Sequence, residues 1–444
     1  MEAGAGATAF DRLPNTVFIN EVLMRIPTQL LVLPLLAFHP ERVELPAQTG
    51  TASASADSIP TTVRWNRIVP RLVDENTARR RALRAAATAA KDSAALRRLA
   101  QNPQPFLFRV YALLSVAQYA AVNAAHDTRD VSADAALASA SAAILTGIYT
   151  DSAVRASIGR ELGRDLERAR AGSRGAERAT AGQRLGEDVA ARVIAWAPPP
   201  IPMVGPWSGT IPKGPGMWYS APNIPPIGIG ISSVRPWLLD SAAQFRPKRP
   251  PAYGSPAWKA ALAEVKRVAV ERTPEQTRVA QLWNSSDPWA RWNEVAAAAL
   301  IRHHASDLDA ARVLAVLNIG ASDAIIACFD AKYHYWTIRP SQADTTIALA
   351  DSVELPNFPS FPSGHACSAG AFDAVLGNYF PQERALFTRI AEEQAMSRLY
   401  GGIHYRFDDD EGLTLGRVVA RYAVEREKRG ALNGWRTVHS AVKP

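Results

Sequence analysis

Three short segments in the last quarter of the chain gather the side chains best suited to chemistry. They are Lys332-Tyr-His-Tyr-Trp-Thr-Ile-Arg339-Pro340, Pro362-Ser363-Gly364-His365, and the stretch from Ser397-Arg398 to His404 and Asp408. Together they supply three cations (Lys332, Arg339 and Arg398), the Ser363 hydroxyl, the Gly364 N–H and two histidines, His365 and His404. This inventory suits a tetrahedral oxyanion and the trigonal-bipyramidal transition state that follows from it. Cations and N–H donors hold equatorial oxygens, one histidine meets the central atom, and the other moves a proton at an apical oxygen.

Spacing gives each segment an expected geometry. Lys332 and Arg339 stand seven residues apart, close to two helical turns, which predicts one shared helix face with Pro340 ending the helix. Arg339 offers a planar fork and Lys332 a mobile point charge. Alone, this pair reads better as a surface charge stripe. Ser363-Gly364-His365 precedes an apolar run from Ala366 to Phe380 and predicts a helix start. There the hydroxyl, the Gly364 N–H and the positive end of the helix dipole point at an anion, with His365 beside it as an acid–base group. In isolation the same tripeptide is an N-cap with a passenger histidine. On a continuous helix, Asp408 orients the His404 ring through one nitrogen and leaves the other as a nucleophile or metal ligand. Gly401-Gly402 permits the break that brings Arg398 to the same place. The run Asp408-Asp409-Asp410-Glu411 reads as a solvated helix start, with a role assigned to Asp408 alone.

The order and spacing of these residues resemble the signature K-x6-RP, PSGH, SR-x5-H-x3-D. It belongs to the superfamily joining type 2 phosphatidic acid phosphatases, bacterial acid phosphatases and vanadium-dependent haloperoxidases. Every position is matched. Gln281-Leu-Trp283, the run Trp292-Asn-Glu-Val-Ala296 and Asp330-Ala-Lys332 are similar to the bacterial haloperoxidase-like branch. The resemblance implies an all-α helical bundle in which four core helices present an oxyanion pocket. It implies Lys332, Arg339, Ser363, Gly364 and Arg398 as oxyanion or vanadate binders, and His365, His404 and Asp408 as catalytic, with His404 the vanadium ligand.

Two chemistries follow from the resemblance. In the favoured one, vanadate is the cofactor, and hydrogen peroxide and halide are the small-molecule substrates. In the alternative, a soluble acid phosphatase needs no cofactor and hydrolyses a phosphate ester through a phosphohistidine at His404. Phe358 and Phe329 match positions that line the halide side of fungal chloroperoxidases, which carry Trp at the second of these. Core packing explains both phenylalanines equally well. No second histidine of the algal bromoperoxidase type follows His365. A third reading is a non-catalytic helical scaffold that retains the pocket.

Four regions are expected along the chain. Residues 1–60 read as a poorly ordered segment with a signal-like region. There Met24-Arg25 precedes an apolar run, Leu30 to Phe38, and Ala54-Ser55-Ala56 suits cleavage, although Glu41, Arg42 and Glu44 intervene. Export and cytoplasmic residence both stay open. Residues 61–197 are an N-terminal helical half, with apolar periodicity over Pro105 to Asp127, Ala135 to Tyr149 and Arg178 to Trp196. Residues 198–256 hold many prolines with Trp207, Trp218 and Trp237, which exclude regular helix and predict an extended segment packed across the helices. Residues 257–444 form the C-terminal helical half with the oxyanion site.

Composition narrows the class. The chain has 444 residues, 47% of them hydrophobic, enough to bury a substantial core. Its net charge of +8 comes largely from arginines in Ala-rich helical stretches without interleaved aromatics, which argues against nucleic acid as a partner. No uninterrupted apolar stretch reaches the ~18–20 residues of a membrane span, so a soluble relative of the membrane phosphatases is expected. Cys328 and Cys367 are the two cysteines, read as small buried side chains lying near one another rather than as a disulfide.

Overall fold

The computed structural model describes residues 59–101, 106–171, 174–197, 209–221, 224–285 and 287–432. The expectations for residues 1–58, for Pro198-Pro199-Pro200 and for Trp207 lie outside the described residues. The fold is all-α. In chain order the helices are α1 (Thr61–Ala89), α2 (Ser93–Gln101), α3 (Leu107–His126), α4 (Ala133–Ile148), α5 (Ser152–Ala169), α6 (Gly175–Trp196) and α7 (Pro256–Glu271). There follow α8 (Pro274–Ser285), α9 (Pro288–Arg302), α10 (Asp307–Tyr335), the single turn α11 (Pro340–Ala343), α12 (Gly364–Tyr379), α13 (Arg384–Tyr400) and α14 (Arg406–Lys428). Among the described residues the only β-pairing is an isolated bridge, Met217 with Thr337.

Two compact units are present. One holds residues 74–101 of the described chain, where Arg80 Nη2 donates to the Leu99 carbonyl at 2.8 Å. The other holds 59–73 and the described residues from 106 onward, and contains the whole site. Its centre is α10, 29 residues long, which packs against α3, α12 and α14. The Ser306 hydroxyl oxygen accepts from the Asp309 N–H at 3.1 Å, and Asp307 and Asp309 stand at the positive end of the dipole. Beyond that first turn, Ala, Val, Leu and Ile cover nearly every face, so the helix is buried all round.

By length and mean hydropathy α10 is apolar enough to cross a bilayer, although, as expected, no uninterrupted apolar run reaches that length. The rule of an uninterrupted run missed it because Asn318, Ser322 and Asp323 punctuate the helix. Of its most apolar window, 94% is buried inside the protein, as in the core helix of a bundle. Asn318 is satisfied there by Asn293 at 2.9 Å and by Ser115 at 3.0 Å.

In its described residues, 209–221 and 224–255, the Pro/Trp-rich stretch runs without α-helix through a series of turns, with one 3₁₀ turn at Ile231–Ser233, and is fastened to α10 and the chain after it. Asp323 on α10 accepts the backbone N–H groups of Trp237, Leu238 and Leu239 at 2.7, 2.8 and 3.1 Å. Two turns further on, Asp330 binds Arg246 through paired contacts of 2.6 and 2.9 Å. The Trp218 N–H donates to the Trp336 carbonyl at 2.7 Å, and the Ile338 N–H to Gly216 at 2.9 Å. The segment thereby braces the chain just before Arg339.

Burial raises the Asp323 carboxyl to about 6 against the pull of those three N–H donors. Asp323→Ala strands all three. Urea unfolding is expected to show a loss of about 3 kcal/mol or more, against a smaller loss for Asp323→Asn, which keeps an acceptor. A loss below about 1 kcal/mol in the alanine variant would show that the segment is held by its apolar contacts instead.

Candidate functional site

Lys332 and Arg339 do not share a helix face as the spacing predicted. α10 ends at Tyr335, where Trp336 turns left-handed at φ 52° and ψ 37°. The chain then pairs briefly with the Pro/Trp segment, and Arg339 sits at the N-cap of α11 with Pro340 in its first turn. Pro340 therefore starts a helix rather than ending one, because its fixed φ suits a first turn and its missing N–H costs nothing there. The two cations still converge. Lys332 Nζ donates to the carbonyls of Pro359 and Ser360 at 3.0 and 2.8 Å. Arg339 Nε donates to the Phe358 carbonyl at 3.0 Å and Nη1 to the Ile403 carbonyl at 2.7 Å. Both are fully buried, and burial pushes Lys332 down to about 8 and Arg339 down to about 10.

Phe358 lies against both cations, with Lys332 Nζ and Arg339 Cζ each 5.0 Å from its ring centroid. Phe329 packs on Phe358 at 5.4 Å between centroids. The two expected aromatic residues thus form one wall beside the cations.

Ser363 is the N-cap of α12 and Gly364 its first residue, as the sequence implied. The Ala366 N–H reaches the Ser363 oxygen at 3.5 Å. His365 is half-buried, and its Nε2 lies 3.1 Å from the Trp283 carbonyl. A carbonyl only accepts, so Nε2 carries the proton and Nδ1 holds the lone pair. Burial, then the Arg398 charge, keeps the ring well below the usual histidine range. Behind it, Gln394 Nε2 donates to the His365 carbonyl at 2.9 Å and receives Trp292 Nε1–H on Oε1 at 2.6 Å. Trp283 Nε1 donates to Glu393 at 2.9 Å. The two tryptophans therefore brace the helix that carries His365.

His404 lies outside a helix, which corrects the expectation of a continuous one. α13 ends at Tyr400, Gly402 turns the chain at φ 78°, and α14 begins at Arg406. The expected contact forms all the same, because Asp408 in the first turn of α14 reaches back to the residues before it. His404 Nδ1 lies 2.8 Å from Asp408 Oδ2, and both residues are buried. His404 Nε2 lies 3.0 Å from Arg339 Nη1. A guanidinium can only donate, so Nε2 is the unprotonated nitrogen, and Nδ1–H donates to Asp408. Burial, reinforced by Arg339, Lys332, His365 and Arg398, holds the imidazole well below its usual range and therefore neutral. Asp408 is raised by burial to about 6, opposed by the Ser360 hydroxyl and the nearby cations.

Arg398, on the last turn of α13, is 1% exposed. Its Nη2 donates to the Ala280 carbonyl at 2.8 Å and its Nε to the Ser397 hydroxyl oxygen at 2.9 Å. Burial pushes it down to about 10. Cys328 and Cys367 are both free and buried. Sequence reasoning missed Ser360, whose hydroxyl donates to Asp408 Oδ2 at 2.5 Å, and the braces Gln394 and Glu393. A lone serine three residues before Ser363 carries no signal that distinguishes it.

These residues fit a tetrahedral oxyanion. Arg339 Nη2 is a buried donor with no hydrogen-bond partner among the described residues. A Cβ built on Gly364 would meet no other part of the protein within 4 Å, so the space beside the first residue of α12 is open. His404 Nε2, which here accepts from Arg339 Nη1, carries the lone pair such a centre needs once Arg339 turns to the anion.

The comparisons agree with this geometry. Residues 310–429 match the PAP2 superfamily. A 59-residue stretch is 42% identical to lipid A 1-phosphatases of Rhizobium etli and Rhizobium johnstonii, covering 13% of this chain and 25% and 24% of those proteins. The chain thus spans about a quarter of the length of these relatives. The structure is similar to that of a bacterial vanadium-dependent iodoperoxidase, with TM-score 0.61 and 24% identity over 72% of this chain and 90% of that one. It is also similar to a bacterial vanadium-dependent chloroperoxidase in its apo form, with TM-score 0.59 and 12% identity over 72% and 93%. The holo form gives 0.56 at 12% identity, over 72% and 91%. These structural likenesses establish the fold, and the superfamily match spans all three segments.

Inorganic phosphate is the simplest probe of the pocket. Lys332 is protonated below about 8 and loses its proton above, so phosphate affinity is expected to be full below that pH. Above it, affinity should fall about tenfold per pH unit in calorimetric titrations. Lys332→Arg should move the falling limb upward, and an unmoved limb would assign the titration to another group.

Proposed function

We propose that this chain, whose residues 310–429 match the PAP2 superfamily, is a vanadium-dependent haloperoxidase-like enzyme. On this reading it holds vanadate in the Lys332, Arg339 and Arg398 pocket and oxidises halide with hydrogen peroxide. The observation that carries an oxyanion-centred reaction is His404, neutral, fixed at Nδ1 by Asp408 and presenting its Nε2 lone pair among three buried cations. Vanadate, when bound, supplies a Lewis-acidic centre at which peroxide becomes an oxidant strong enough for halide.

The chain's own contribution is binding and proton handling. Nε2 of His404 meets the central atom. Lys332, Arg339, Arg398, the Ser363 hydroxyl and the Gly364 N–H hold oxygens, each charge-assisted bond contributing about 1.5–3 kcal/mol. His365 accepts and returns a proton at Nδ1, with the Trp283 carbonyl fixing its other nitrogen. Oxidation is favoured over hydrolysis by the Phe358 and Phe329 wall beside the cations, an apolar and polarisable surface suited to a weakly hydrated anion. The fold shared with the peroxidases supports the same choice. The protein is read as working in water, exported or cytoplasmic, with α10 as an interior helix.

The similarity to lipid A 1-phosphatases favours a second reading, hydrolysis of a phosphomonoester. His404 Nε2 then attacks phosphorus, while His365, having taken a proton from solvent at Nδ1 as the anion binds, gives it to the leaving oxygen and later takes one from the attacking water.

One preparation separates the two. Bromination of a phenol indicator with peroxide and orthovanadate is expected, suppressed by phosphate and lowered at least about 10³-fold in His404→Ala. Release of p-nitrophenol from its phosphate ester, inhibited by vanadate and without bromination, would make the chain a phosphatase. Full activity in His404→Ala would contradict both.

A further inference from the structure

Asp409 is a buried carboxyl that the chemistry above does not use. It is 2% exposed, and neither of its oxygens has a hydrogen-bond partner at full geometry among the described residues. Native proteins seldom leave such a group without a reason. Its place is set by how closely α14 lies on α12. A Cβ at Gly412 would come within 2.8 Å of the Ser363 carbonyl oxygen, and one at Gly416 within 2.0 Å of the Cys367 carbonyl oxygen. The Ser363 N–H donates to the Asp408 carbonyl at 2.9 Å, which pins the first turn of α14 to the start of α12. The Ser363 hydroxyl consequently lies beside the Asp409 carboxyl.

Ser363 has a single hydroxyl proton. Turned inward to an ionised carboxylate, that proton is lost to any oxyanion in front of α12. A carboxyl that keeps its own proton instead donates to the Ser363 oxygen, and the hydroxyl proton is then free to point outward. We propose that Asp409 is a positioning residue whose carboxyl O–H donates to Ser363 Oγ and so turns the Ser363 hydroxyl proton toward the bound oxyanion. Burial, aided by Asp408 and Asp410, raises Asp409 well above the usual carboxylate range, against the opposing influence of Ser363 and of Arg398 from α13.

The proposal rests on the oxyanion reading of the site, and calorimetry with inorganic phosphate tests the two separately. Asp409→Asn, whose amide N–H donates to the same oxygen, is expected to bind phosphate within about threefold of wild type, whereas Asp409→Ala weakens it about tenfold. In a Ser363→Ala background, Asp409→Ala should cost nothing further, because its effect runs through that hydroxyl. Asp409→Leu, apolar and similar in size, serves in the same cycle where the alanine variant does not fold. An Asn variant as weak as the Ala variant, or an undiminished Asp409 effect without the Ser363 hydroxyl, overturns the proposal. Wild-type protein that binds no phosphate would instead overturn the oxyanion reading on which it rests.

Discussion

Asp408 Oδ2 accepts three donors from different parts of the chain: His404 Nδ1–H at 2.8 Å, the Ser360 hydroxyl at 2.5 Å and the Tyr405 N–H at 3.1 Å. Its own backbone carbonyl takes the Ser363 N–H at 2.9 Å. Ser360 is also one of the two residues whose carbonyls hold Lys332. A single buried carboxylate therefore joins the Lys332 end of α10, the start of α12 and the His404 loop. Its role in fixing the His404 tautomer is inseparable from its role in holding the three segments together.

The site is costly to build. Three buried cations and two neutral histidines lie close together, and loss of water lowers the proton affinity of every one of them. Taking charges out of water is expensive, and backbone carbonyls return only part of the loss. Lys332, Arg339 and Arg398 each rest on such carbonyls rather than on a directly bonded carboxylate. That choice leaves their charges uncancelled and preorganised for an incoming anion, which is the arrangement that stabilises charge without later reorganisation.

Much of this was legible in the residues themselves. Lys332, Arg339, Ser363, His365, Arg398, His404 and Asp408 declare their chemistry by side-chain type, and the break at Gly401-Gly402 was visible as turn residues. The partners were not, because most are main-chain carbonyls: Phe358 and Ile403 for Arg339, Ala280 for Arg398, Trp283 for His365. Every residue has a carbonyl, so sequence cannot single one out. Periodicity also misled where tertiary contacts took over. The turn at Trp336 is imposed by pairing with the Pro/Trp segment, and seven-residue spacing could not foresee it. Asp409 was set aside as part of an acidic run, since the close approach of α14 to α12 depends on which glycines meet across the interface.

A crystal structure of the protein soaked with orthovanadate tests the central claim most directly. The account predicts vanadium bonded to His404 Nε2, its oxygens held by Lys332, Arg339 and Arg398 and by Ser363 and Gly364, with Asp408 still on Nδ1. Vanadate bound elsewhere, or held by the cations while His404 Nε2 stays on Arg339, would contradict it.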